Sequence, residues 1–112
     1  MMATSVKAAT REVLLDRRLA LVGNVSALTA EALRLNQKLA GLEMDVLRVE
    51  LEIGRSGSST QLVQDLHETE EGAEAIMNAR TACEERIAFA EGEIADVDRE
   101  LASTANQDRW ET

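Results

Sequence analysis

Residues 14–53, written in sevens, read LLDRRLA LVGNVSA LTAEALR LNQKLAG LEMDVLR VELEI, and every group of seven opens on Leu or Val. Leu14, Leu21, Leu28, Leu35, Leu42 and Val49 share one phase. Val25, Ala32, Leu39, Val46 and Ile53 form a second phase four residues on. These are the d and a positions of an uninterrupted heptad pattern, which places both series along one seam of a helix. The stretch lacks proline and is rich in strong helix formers, so the spacing predicts a single helix from about residue 5 or 10 to Ile53. Its periodic part spans ~60 Å at 1.5 Å per residue.

Gly54 suits a left-handed C-cap, and Arg55-Ser-Gly-Ser-Ser-Thr60 is turn chemistry. Ser58 followed by Gln61 resembles a capping box, with Thr60 as the rival N-cap. Beyond it the heptad resumes. Leu66, Ala73, Arg80, Ile87, Ile94 and Leu101 occupy a, while Leu62, Thr69, Ile76, Cys83, Ala90 and Val97 occupy d. Two helices of similar length joined by a short loop fold back on each other. The expected fold is all-α, a long antiparallel two-helix coiled-coil hairpin completed by oligomerisation or by a partner helix. It forms one domain over residues 1–112, with helix one at about 5–53, a turn at 54–60, helix two at about 61–104 and a tail at 105–112.

The register follows from arithmetic, because facing residues of an antiparallel pair have numbers that sum to a constant. Ile53 with Leu62, Val49 with Leu66, Leu39 with Ile76, Leu28 with Ile87 and Leu14 with Leu101 all sum to 115. On the flanks, Arg17 is expected beside Glu100 and Glu31 beside Arg86, whereas Leu15 would face Asp98 and Val22 would face Glu91. One flank is therefore unfinished. Arg80 interrupts the seam opposite Leu35. It is expected to pack its stem and carry its head to Glu84 or Glu31, with a register-fixing role as the alternative.

Composition supports this class. Of 112 residues 45% are apolar and 29% charged, yet there is no proline and only two aromatics, Phe89 and Trp110. Sandwiches and barrels need more of both kinds of residue. Acids outnumber bases 21 to 12 for a formal charge of −9. That disfavours an electrostatic grip on nucleic acid or anionic lipid, so neither is an expected partner. The imbalance is uneven, since the chain through Ala40 carries six bases and three acids and is +3, leaving −12 beyond it. Basic residues before the leucine repeat are too sparse for a basic zipper, and Glu12 and Asp16 interrupt them.

A lone Cys83 closes no intrachain disulfide, which points to a reducing compartment. The longest uncharged run, Leu19 to Ala30, has 12 residues and is too short to cross a bilayer. Preceded by Arg17-Arg18 it imitates a secretory signal, but the heptad repeat runs through the would-be cleavage point, so no signal peptide is expected. No catalytic, cofactor or metal motif emerges. His67, Glu71 and Glu74 share a helix face, yet the paired motifs of zinc and di-iron helices are absent, and a solvated acidic face explains them better. With one His and one Cys, no nucleophilic constellation can be built, and Cys83 reads as a small core residue opposite Ala32.

Partner-binding residues do emerge. Leu15, Leu19, Val22, Leu33, Ala40 and Leu47 form a second apolar stripe at e and b positions, beside the seam and not in it. Five large aliphatics left in water would forgo roughly 1.5–3 kcal/mol each, and such a stripe marks an interface. Helix two offers Gly72, Ala75, Ala79 and Ala82 in a small-residue row extended by Phe89, for which simple helix propensity is an equal explanation. Trp110 lies past the last heptad and is expected to anchor on another chain.

The expected outline is similar to that of helical-hairpin secretion chaperones and of type VII secreted hairpin proteins. The latter carry Trp-x-Gly at the turn where this chain reads Ile53-Gly54-Arg55-Ser56-Gly57, so the likeness is one of architecture. Ten Arg against two Lys suit a GC-rich genome, bacterial or phage. The expectation is a non-enzymatic structural or adaptor subunit, self-associating or bound to a larger protein, in the cytoplasm or within a phage particle. An acidic inhibitor that mimics nucleic acid is the alternative, presenting Glu68, Glu70, Glu71, Glu74, Glu84, Glu85, Glu91 and Glu93, and a small secretion-type chaperone is another.

Overall fold

A computed structural model describes the backbone of residues 2–111 and the side chains of residues 10–106. Two long helices, α1 (Met2–Ser56) and α2 (Thr60–Glu111), pack as an extended hairpin, and the described residues include no strand. Both helices outrun their expected ends. α1 passes through Gly54 because helix arrest needs a backbone that turns left-handed, and that change comes at Gly57, with φ of +80°. The Gly57 amide donates to the Ile53 carbonyl at 2.8 Å, the single bond of an αL cap.

Ser59 caps α2, and neither Ser58 nor Thr60 does. Its Oγ accepts from the Leu62 amide at 3.1 Å, and its carbonyl accepts from the Val63 amide at 3.0 Å. Gln61 is no member of a capping box, because its amide reaches forward to Asp65 Oδ1 at 2.8 Å. At the other end α2 continues to Glu111, where a tail from residue 105 was expected, since Ala105-Asn106-Gln-Asp-Arg contains no Gly or Pro to stop it. A lapsed heptad removes a packing partner without breaking a helix.

The chain divides into two compact units, Met1–Leu28 with Glu85–Thr112, and Thr29–Glu84. In the first, Leu14, Ala90 and Val97 are buried, and Leu21, Val25, Leu28, Ile87, Ile94 and Leu101 are half-buried along the expected seam. Arg18 at a seam position turns outward, donating from Nε to Asp98 Oδ1 at 2.6 Å. Thr104 satisfies its hydroxyl on the Glu100 carbonyl at 2.9 Å, four residues back in its own helix. Arg17 pairs with Glu93 at 3.6 Å, one heptad from the expected Glu100.

In the second unit Leu35, Leu39 and Cys83 are buried, with Leu42, Val46, Val49, Ile53, Leu62, Leu66, Ala73 and Ile76 half-buried. A Cβ added to Gly72 would lie 3.9 Å from Leu42 Cδ1, and Arg80 Nη1 donates to Asn36 Oδ1 at 3.1 Å. These pairs lie within one residue of the expected register. Thr69 at d bonds back to the Asp65 carbonyl at 2.8 Å. Glu31 binds Arg34 on its own helix at 2.5 and 3.0 Å, where Arg86 had been expected. A residue three positions away on the same helix is always within reach, whereas a cross-helix partner needs two long chains to meet. Arg80 does carry its head toward Glu84, at 3.8 Å, but its Nε is buried with no hydrogen-bond partner.

Candidate functional site

Two packed helices bury one seam each, so any further apolar surface is left to water. In the first unit that surface is Leu15, Leu19 and Val22 on α1, spaced by four and three residues and all exposed, Leu19 at 73% and Val22 at 37%. Leu15 and Val22 sit at e, beside the seam, and Leu19 sits at b, further round the helix. Arg18 stands next to them. Its guanidinium is held by the hydrogen bond to Asp98, and that bond together with the carboxylate's charge pushes its pKa upward.

In the second unit the expected residues Leu33, Ala40 and Leu47 are exposed on α1, and they are not alone. Met44 and Leu51 are also exposed, and with Ala40 and Leu47 they make a row at spacings of four, three and four. A shallow recess here is lined by Met44, Leu47, Arg48, Leu51, Glu52 and Arg55. Arg48 donates to Asp45 at 2.7 Å at its edge. Glu31 and Arg34 lie beside Leu33, and the hydrogen bond from Arg34 holds the Glu31 carboxyl below its usual range.

Met44 and Leu51 were missed because the stripe was tied to the heptad lettering of the seam. They are f residues, on the side of α1 opposite the seam. From Leu15 to Leu51 the stripe advances 36 residues in ten steps of three or four, a 3.6-residue period. The seam repeats every 3.5, and the ~20° drift per heptad between the two carries the stripe from e and b to b and f. A scan at 3.6 independent of the seam would have found both.

Among its described residues α2 carries no such stripe. Val63 and Met77 are exposed two heptads apart, and Phe89, 71% exposed, lies on a different face above a recess lined by Ala88, Gly92, Ala95 and Arg99. Ala75, Ala79 and Ala82 are exposed, while Gly72 is half-buried against Leu42. Of the eight glutamates proposed for nucleic-acid mimicry seven are exposed, and Glu93 is half-buried on Arg17. His67 pairs with Glu71 at 3.0 Å, and no group of three metal-ligating side chains forms among the described residues. No helix, among the described residues, is long and apolar enough to cross a membrane. Trp110 belongs to α2 by its backbone, and its side chain lies outside the described residues.

The two helices differ as sharply in charge as in exposed apolar surface. α1 holds eight bases and seven acids for a formal +1, and the chain from Gly57 onward holds four bases and fourteen acids for −10. The aliphatic face thus lies on the near-neutral helix of a strongly anionic chain. No family model, curated protein or solved structure matches this chain.

Proposed function

We propose that this chain is a non-enzymatic assembly subunit or adaptor that binds protein through the second apolar face of α1. The observation that carries the reading is the exposure of Leu15, Leu19, Leu33, Met44, Leu47 and Leu51 on a helix whose seam already has a partner. Covering such side chains contributes roughly 1.5–3 kcal/mol each, enough for a few of them to hold a complex. The near-neutral charge of α1 favours the same face for a second copy or any other acidic partner, since approach along α2 would have to overcome a formal −10. Trp110, the only Trp, serves as a second anchor on the partner. The hairpin form and the arginine-rich composition suit a phage or bacterial secretion-type assembly, in the cytoplasm or within a particle.

The test replaces Leu19 and Leu33 together by Glu. Helicity should persist while oligomeric mass falls or partner capture is lost, and Trp110 emission should move to the red as its environment becomes wet. A monomeric wild type that captures the same proteins as the double variant would end the reading. The seven exposed glutamates of α2 favour one second reading, an acidic mimic of nucleic acid. Salt separates the two, because apolar binding survives high ionic strength and charge-driven binding does not.

A further inference from the structure

The exposed aliphatics of α1 are arranged as a palindrome. Leu15, Leu19, Val22, Leu33, Met44, Leu47 and Leu51 are exposed, and reversing the chain direction about Leu33 superposes the set on itself. Leu15 maps to Leu51, Leu19 to Leu47, Val22 to Met44, and Leu33 to itself. Ser26 and Ala40, two small exposed residues on the same row, exchange places as well. Among the described residues, Val13 is the one large exposed aliphatic of α1 left over, its mirror being the seam residue Ile53. A seam between two different helices, or between two copies side by side in parallel, imposes no such symmetry. An isologous contact between two antiparallel copies demands it, because each residue must meet the one that meets it.

We infer that the occupant of the α1 face is a second copy of this chain, packed antiparallel, α1 on α1, with the twofold axis at Leu33. The inference rests on the proposed binding role of that face and names its partner. Each half of the contact joins one unit of one copy to the other unit of the second. Leu15, Leu19 and Val22 cover Leu51, Leu47 and Met44 of the second copy, and the same contact recurs by symmetry.

Charge agrees with the register. In an antiparallel pair the flanking residues meet two positions to either side of the apolar layers. One flank brings Asp16 to Arg48 of the second copy, and the other brings Arg18, already on Asp98, to Glu50 of the second copy. Both pairs are complementary, and each forms twice. The first flank also sets Gly23 against Gly41 of the second copy. Within one chain neither glycine has a packing reason, since a Cβ at either meets nothing within 4 Å. A glycine inside a helix is destabilising relative to alanine, and facing glycines let two backbones approach closely. Pairing through α1 also joins the near-neutral helices and leaves both acidic helices facing water.

Disulfide trapping reads the register directly, because a bond forms only where Cα atoms approach within about 7 Å. In a Cys83→Ala background, Leu19→Cys and Leu47→Cys are made separately, and circular dichroism verifies that each stays helical. Under mild oxidation each alone should remain largely uncrosslinked, their mixture should yield covalent dimer, and Leu33→Cys should crosslink to itself. Light scattering of the unmodified chain should give twice its 12.2 kDa mass at about 100 μM. Crosslinking of Leu19→Cys to itself as efficiently as to Leu47→Cys would overturn the antiparallel register. A wild type of single-chain mass at that concentration would overturn the second copy as occupant. Should the Leu19→Glu, Leu33→Glu variant nonetheless lose a partner that the wild type captures, the binding role of the face stands and its partner is a different protein.

Discussion

α1 and α2 are nearly equal in length and supply the two halves of one seam, yet they are built to different ends. α2 is apolar along the seam and predominantly acidic elsewhere, with no contiguous second apolar row among its described residues, which is all that one half of a hairpin requires. α1 has the same seam, a nearly balanced charge and a second row of aliphatics that the hairpin never uses. Among the described residues, the contiguous surplus lies on α1, while the large apolar residues that α2 exposes are the scattered Val63, Met77 and Phe89. What the hairpin needs in order to fold can be read from α2, and what α1 carries beyond that is the basis of the binding role we propose.

The most forceful way to break this comparison is to charge the two faces of α1 in turn. Leu28→Asp places a carboxylate in the seam opposite Ile87 and should cost about 3 kcal/mol, enough to unfold a marginal chain. Leu33→Asp, five residues on and on the other face, should change the stability of the dilute chain by less than about 0.5 kcal/mol. Thermal melts followed by circular dichroism at low concentration compare them. Equal losses would mean that the two faces are not distinct.

A smaller effect sharpens the α2 side. Arg80 is the charged residue that α2 places in the seam opposite Leu35, with a buried Nε that no acceptor reaches. Arg80→Leu should therefore stabilise the hairpin by about 1 kcal/mol, seen as a melting point several degrees higher. If the melt instead broadens or splits, Arg80 is holding the register. The smallest effect is on α1. Arg34 keeps the Glu31 carboxyl below its usual range, so its contribution is fully present above the ordinary carboxylate pKa and fades as pH falls through the lowered value. Glu31→Gln should lower the melting point slightly at neutral pH and leave it unchanged in strong acid.

The seam was legible because leucine at every seventh residue leaves one geometry that buries it. Leu14, Leu35, Leu39, Ala90 and Val97 are buried where the spacing puts them. The ends were less legible. Ser58, Ser59 and Thr60 can all cap a helix, and Gly54 and Gly57 can both end one, so the choice is made by which backbone turns. Ion pairs were least legible, because an exposed Arg17 or Glu31 has several carboxylates or cations within reach at nearly equal energy. The stripe on α1 was half visible. Leu15, Leu19, Val22, Leu33 and Leu47 were found by lettering the seam, while Met44 and Leu51 obey a different period.

The connection between the helices, Gly57 to Ser59, also sets an order of assembly in time. Ile53 and Leu62 are nine residues apart in sequence, and Leu14 and Leu101 are 87 apart. Closing the outermost pair directly from the unfolded chain costs about 2 kcal/mol more in loop entropy than closing the innermost. Once the turn has formed, each further layer adds only a short extension. Folding that starts at the αL cap and zips outward thus meets the lowest barrier at every step. Substitutions beside the turn should slow folding, and those near Leu14 and Leu101 should chiefly hasten unfolding.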